Sequence, residues 1–204
     1  MKKQILKYLN NLDSMTYNHS VMVMMIAKEI EIYAGITDHK LMNAALLHDI
    51  GKLYIPHKIL DKNGRLTKLE RELVDLHAYI GYMILSDLSV DEDICRIVLY
   101  HHGFKPLHVR DVEYYDSSLI YQKACILRTI DSFEALTSDR SYHRGVTAEK
   151  ALEILLDENN YNECAMEYLQ TVVNDDCLEE SVVRRSGKYP SLDDVNELLE
   201  TMDL

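Results

Sequence analysis

The stretch Ala45-Leu46-Leu47-His48-Asp49-Ile50-Gly51-Lys52 puts a histidine and an aspartate at the end of an apolar helix that runs from about Asp38 and stops near Gly51. Adjacent residues on a helix diverge by about 100°. The doublet can therefore serve two metal ions, or one ion and a partner that orients its ligand. A second doublet, His101-His102, ends another helix from Asp91 in the same way, just before Gly103.

Working outward, apolar residues keep helical spacing on both sides. From Asp13 to Ala34, Val23, Ile26, Ala27, Ile30 and Tyr33 mark one face, and His19 lies in line with Val23, Ile26 and Ile30. Residues 53–65 read as a loop with Pro56 and an Asn63-Gly64 turn. Thr67-x-x-Glu70 is a capping box that opens a helix to about Leu85, with His77 flanked by Leu73 and Ile80. Residues 104–116 are irregular. A helix over 117–137 sets Asp131 in line with Ala124, Leu127 and Ala135, and Thr147 opens another through Leu156. One more helix is expected over 160–183, then a linker and a short acidic C-terminal helix. The expected fold is all-α, a bundle of about seven to nine helices: a leading segment 1–12, a domain over 13–183, and a tail over 184–204.

Composition narrows the function. The net charge is −12, with 34 acidic residues against 22 basic ones, so the surface repels nucleic-acid backbones as a class. A small phosphorylated ligand remains compatible where cations reverse the field locally. No apolar run approaches a membrane span and no signal-peptide core follows Met1-Lys2-Lys3, which reads as a soluble cytoplasmic protein. Four scattered cysteines without a C-x-x-C pair argue against a zinc–thiolate site.

Three helices each aim an ionisable residue (His19, His77, Asp131) at a face that should be apolar, and two doublets join them. A single inward histidine is more commonly a hydrogen-bonded core residue. Five separate segments behaving alike are better explained by one divalent cation site, because burying a lone carboxylate costs several kcal/mol unless a cation compensates it. Imidazole with carboxylate suits iron, manganese or zinc better than magnesium or calcium. His39, His57, His108 and His143 fall in turns or polar stretches and are expected at the surface.

The order His19, His48-Asp49, His77, His101-His102, Asp131 resembles the HD superfamily of metal-dependent phosphohydrolases. It is closest to the HD-GYP branch, which hydrolyses cyclic dinucleotides such as cyclic di-GMP. Ile59-Leu60-Asp61-Lys62-Asn63-Gly64-Arg65-Leu66-Thr67 and Ile130-Asp131-Ser132-Phe133-Glu134-Ala135-Leu136-Thr137-Ser138-Asp139-Arg140-Ser141-Tyr142 carry the likeness further, over about residues 13–156. The resemblance implies two divalent metal ions, iron or manganese favoured and zinc admissible. His19, His48, Asp49 and Asp131 would hold one; His77, His101 and His102 would hold the other, with Asp49 bridging. A water between two such ions is acidified to a hydroxide nucleophile near neutral pH. Lys52 would bind the phosphate or assist the leaving oxygen, and Arg140 and Arg144 would clamp the other phosphate.

The chain also departs from that family. Gly103 follows the second doublet where an acidic residue is usual, and Val109-Arg110-Asp111 stands where Gly-Tyr-Pro should fall. Met15 replaces a glutamate that helps some members bind a third metal, so two metals at most are expected. Glu134 replaces the usual second Asp of Asp-x-x-Asp. The alternatives are a phosphohydrolase for another nucleotide, or a non-catalytic module that binds a nucleotide or protein partner.

Overall fold

Every residue from Leu41 to Leu47 is buried, so this short helix is the axis around which the others pack. The computed structural model describes residues 1–103, 119–139, 144–174, 192–202 and 204, and every regular element among them is helical. In chain order these are α1 (Lys2–Asn11), α2 (Ser14–Ala34), α3 (Lys40–Leu47), a 3-10 turn (Ile50–Tyr54), α4 (His57–Leu60) and α5 (Lys68–Asp87). Then follow α6 (Glu92–Tyr100), α7 (Leu119–Thr137), α8 (Ala148–Glu158), α9 (Glu163–Asn174) and α10 (Leu192–Thr201). The ten α-helices exceed the expected seven to nine because the leading segment forms α1 and the loop after the first doublet holds the single-turn α4.

Helix α3 packs against α2, α6 and α7; α9 crosses α2 and α7, α8 lies on α7, and α1 meets α10. Local chemistry sets the ends. The Asp13 side chain accepts from the Thr16 N–H at 2.9 Å to start α2, and Gly35 closes it at φ 66°. The Thr67–Glu70 capping box forms as read. Helix α3 has no such side chain at its own N-cap, His39. Buried Glu31 of α2 supplies the acceptor instead, taking the Leu41 and Met42 N–H groups at 3.0 and 3.2 Å. Lys123 of α7 donates to Asp38 at 2.6 Å and ties the α2–α3 turn to α7. These bonds fix where α3 begins, and so where His48 ends it.

Two expectations about local structure change. Helix α3 stops at Leu47; His48 is its C-cap and Asp49 caps the 3-10 turn, so the doublet sits in the joint between two helix types. Leu73, read as an inward neighbour of His77, is 38% exposed, and the face that His77 shares is Ala78, Gly81 and Leu85. Helix α9 runs from Glu163 to Asn174, while residues 175–183, the linker 184–190 and the loop 104–116 lie outside the described residues. Among the described residues no helix is long and apolar enough to cross a membrane.

The 3-10 turn presses on α5 so closely that a Cβ at Gly51 would lie 2.0 Å from the His77 carbonyl oxygen and 2.7 Å from the Gly81 nitrogen. Both atoms are backbone and cannot step aside. Gly51→Ala is therefore expected to destabilise the fold by about 1–3 kcal/mol or more, read as a lowered thermal midpoint with the helical content of the folded state unchanged.

Candidate metal centre

The joint after α3 brings His48 and Asp49 to the middle of the bundle, where His19 from α2, His77 from α5, His101 and His102 from the end of α6, and Asp131 from α7 converge on them. The donors fall into two groups, each with ligand atoms within 4.8 Å of one another: His19, His48 and Asp131 in one, His77, His101 and His102 in the other. Asp49 faces both. Its Oδ2 is 3.7 Å from His19 Nε2 and 3.5 Å from His48 Nε2, and its Oδ1 is 3.3 Å from His77 Nε2. Asp131 Oδ1 lies 2.9 Å from His19 Nε2 and 3.9 Å from His48 Nε2.

Four of the five rings, His19, His48, His77 and His101, are held by their other nitrogen. The Nδ1–H of His48 donates to the Ala45 carbonyl at 2.8 Å, that of His77 to Val74 at 2.6 Å, and that of His101 to Val98 at 2.6 Å. Because a carbonyl only accepts, each Nδ1 carries the proton and each Nε2 presents a lone pair to the centre. His19 differs: its Nδ1 bonds to the Glu134 carboxylate on α7, and Ser138 donates to the other Glu134 oxygen. The sequence showed Glu134 as a substituted family position without indicating this tie. The available signal was its spacing, since a residue three beyond Asp131 shares its helix face.

The residues fit a cation by their own unmet needs. The Nε2 atoms of His48 and His101 are buried without a hydrogen-bond partner among the described residues. The lone pair of His77 Nε2 accepts from His102 Nε2 at 3.1 Å. Buried lone pairs without a donor, as at His48 and His101, are unfavourable unless a positive charge sits beside them.

Electrostatics follow the same division. Burial lowers the basicity of His77 and His101 to a pKa of about 3, so both are neutral at physiological pH. Burial also disfavours a charged His19, but hydrogen bonds to Asp131 and Glu134 outweigh it and raise its pKa to about 9. For Asp49 burial acts upward, yet the facing His48, Lys52 and His77 hold its carboxyl well below the usual range. Lys52 is half-buried with its Nζ 2.6 Å from Asp49 Oδ2.

The remaining candidates lie further out. Arg144 is exposed on the connection into α8, and Arg140 lies outside the described residues, as do His108, His143 and Val109-Arg110-Asp111. His39 and His57 are exposed, as expected. A pocket of about 200 Å³ opens beside His19 and Glu134, lined also by Ser14, Met15, Asn18, Ser138 and Asp139. Met15 brings no charged oxygen to it.

Comparison with known proteins gives a consistent answer. The family described as HD domain matches residues 16–136. A 3'3'-cGAMP-specific phosphodiesterase of Vibrio cholerae is 35% identical over 67% of this chain and 27% of its own length. A cyclic di-GMP phosphodiesterase of Pseudomonas aeruginosa is 32% identical over 75% of this chain and 38% of its own. The chain thus matches about a quarter to two-fifths of these relatives' length. In structure it resembles the HD domain of a Listeria monocytogenes phosphodiesterase solved with cyclic di-AMP. That similarity has a TM-score of 0.63 at 20% identity and covers 91% of this chain and all of that one.

Two outcomes are expected. Glu134→Gln keeps an acceptor for His19 but removes the charge, and should weaken metal binding about 10- to 100-fold, measured by titration calorimetry. For chelated protein, the neutral His77 and His101 stabilise the fold fully above about pH 6.5, and this is lost as pH falls toward 3. The raised His19 contributes below pH 6.5, and that share is lost as pH rises through about 9. Among these groups the thermal midpoint should therefore peak near pH 6.5 and fall more steeply on the acid side.

Proposed function

The chain belongs to the HD-domain family, and on that footing we propose that it is a metal-dependent phosphodiesterase that opens a cyclic dinucleotide. The observation that carries the reading is the two donor groups with Asp49 facing both. We assign one divalent ion to His19, His48, Asp49 and Asp131, and a second to Asp49, His77, His101 and His102. Nitrogen and carboxylate donors without thiolate favour iron or manganese and admit zinc. Such ions, when bound, would supply the Lewis-acid charge that acidifies an attacking water and neutralises charge building on the phosphate.

The chain's own groups do the rest. Neutral His77 and His101 are ready to coordinate at pH 7 without releasing a proton, whereas the His19 proton must leave. Lys52, hydrogen-bonded to Asp49 at 2.6 Å, has further N–H donors for a phosphate oxygen and steadies the departing oxygen. His102, exposed where the others are buried, marks the open side from which a ligand enters. On an acidic chain this cationic centre is what draws a dianionic nucleotide inward. Arg144, with Arg140, is assigned to the second phosphate. The cyclic dinucleotide is supported by the substrates in the names of the relatives from Vibrio cholerae and Pseudomonas aeruginosa. The complete donor set speaks against a purely binding module.

The test is turnover of a panel of cyclic and linear dinucleotides with Mn²⁺ or Fe²⁺. Asp49→Ala should lower kcat by about a thousandfold or more, equivalent to several kcal/mol of lost charge stabilisation. Lys52→Met should lower it about a hundredfold. Hydrolysis that survives Asp49→Ala, or protein that cannot be loaded with metal, overturns the reading.

A further inference from the structure

On α5 the face turned away from buried Ala78, Gly81 and Leu85 is apolar and open. Leu69 is 68% exposed, Leu76 47%, Tyr79 42% and Met83 44%. With Leu73 and half-buried Ile80 they form a row at positions 69, 73, 76, 80 and 83, in alternating steps of four and three. Tyr79 and Tyr82 stack beside it, with ring centroids 6.5 Å apart. Solvent-facing helix surfaces are normally polar, and single exposed leucines need no account. A heptad row sustained along most of a 20-residue helix does need one, because that spacing is the seam of a helix pair. Among the described residues α5 packs chiefly on the 3-10 turn and α6, with a lighter contact to α4, and the side chains of this row stay exposed or half-buried.

Charge selects the occupant. Arg65, Lys68 and Arg71 are exposed at the N-terminal end of α5, where Lys62 is already engaged by Glu70 at 2.6 Å. Asp87 is exposed at the C-terminal end. A second copy laid parallel would set basic end on basic end. Laid antiparallel about Leu76, it sets Leu69 against Met83 and Leu73 against Ile80 of the second copy. Helix α5 begins at Lys68, eight residues or about 12 Å before Leu76, and Asp87 lies eleven residues or about 16 Å after it, at a rise of 1.5 Å per residue. Asp87 of the second copy therefore lies less than one turn beyond the level of Lys68, at the helix end that Arg65 precedes, and Glu72 comes close to the level of the Tyr79 hydroxyl. The face is complementary to itself under a twofold rotation, as a closed dimer requires.

We propose that two copies of this chain associate through an antiparallel α5–α5 seam centred on Leu76. Leu76 is turned about 100° around α5 from the buried His77, so the seam leaves the metal-centre donors inside each copy.

Sedimentation velocity of the full chain from about 1 to 100 µM tests this by mass action. The expected result is twice the 23.7 kDa chain mass at the upper end, falling to one chain on dilution. Leu76→Asp should give a single chain throughout, with circular dichroism and metal content unchanged. Asp87→Lys should weaken association about tenfold or more, and adding Arg65→Asp and Lys68→Asp should restore it. Wild-type protein that stays a single chain at the upper concentration overturns the proposal, as does a Leu76→Asp variant that remains a dimer. Failure of the charge exchange to restore association rejects the antiparallel register. A Leu76-dependent complex with a different protein, formed by a wild-type monomer, would assign the face to that partner instead.

Discussion

A carboxylate with 1% of its surface exposed, Asp49, sits where α3 gives way to the 3-10 turn, and the rest of the bundle is arranged around its charge. An uncompensated carboxylate at that depth would cost more than a domain of this size can spare. Here Oδ2 faces the imidazoles of His19 and His48 and Oδ1 that of His77, and Lys52 adds an ammonium. The supporting chain runs outward from that point. The facing rings are aimed by carbonyls of their own helices or by Glu134, the helices are capped by Asp13, Glu31 and Thr67, and Gly51 lets the turn approach α5.

The histidines behave in two ways for one reason. His48, His77 and His101 close on carbonyls one turn back in their own helices, so their tautomer is fixed locally. His19 instead meets two carboxylates of α7, Asp131 at its Nε2 and Glu134 at its Nδ1. A carboxylate makes a stronger acceptor than a carbonyl and raises the basicity of the ring it holds. That is why His19 is the basic member among neutral neighbours, and why the α2–α7 contact matters chemically as well as mechanically.

Much of this was legible in the sequence. The apolar spacing around His19 and Asp131 and the Thr67 box depend on near neighbours, which periodicity reports directly. The orientation of α5 was not legible. Its apolar residues occupy two faces, so the row through Leu73 and Ile80 read as core, whereas Ala78, Gly81 and Leu85 are the residues that face inward. Small residues carry little weight in a hydrophobic pattern, yet here they allow the 3-10 turn and α6 to come close. Glu134 was visible only as a substitution, because its partner stands 115 residues away and no local pattern encodes such a pairing.

That same separation bears on how the protein is made. His19 belongs to the second helix of the chain, while Asp131 and Glu134 belong to α7, so the donor group they share cannot close until synthesis has passed residue 134. Closing so long a loop is slow, and its entropy must be spent before the contact returns anything. Until then the chain on the ribosome offers at most the group of His77, His101 and His102. The donor group of His19, His48 and Asp131 is therefore the last to assemble, following the docking of α2 on α7.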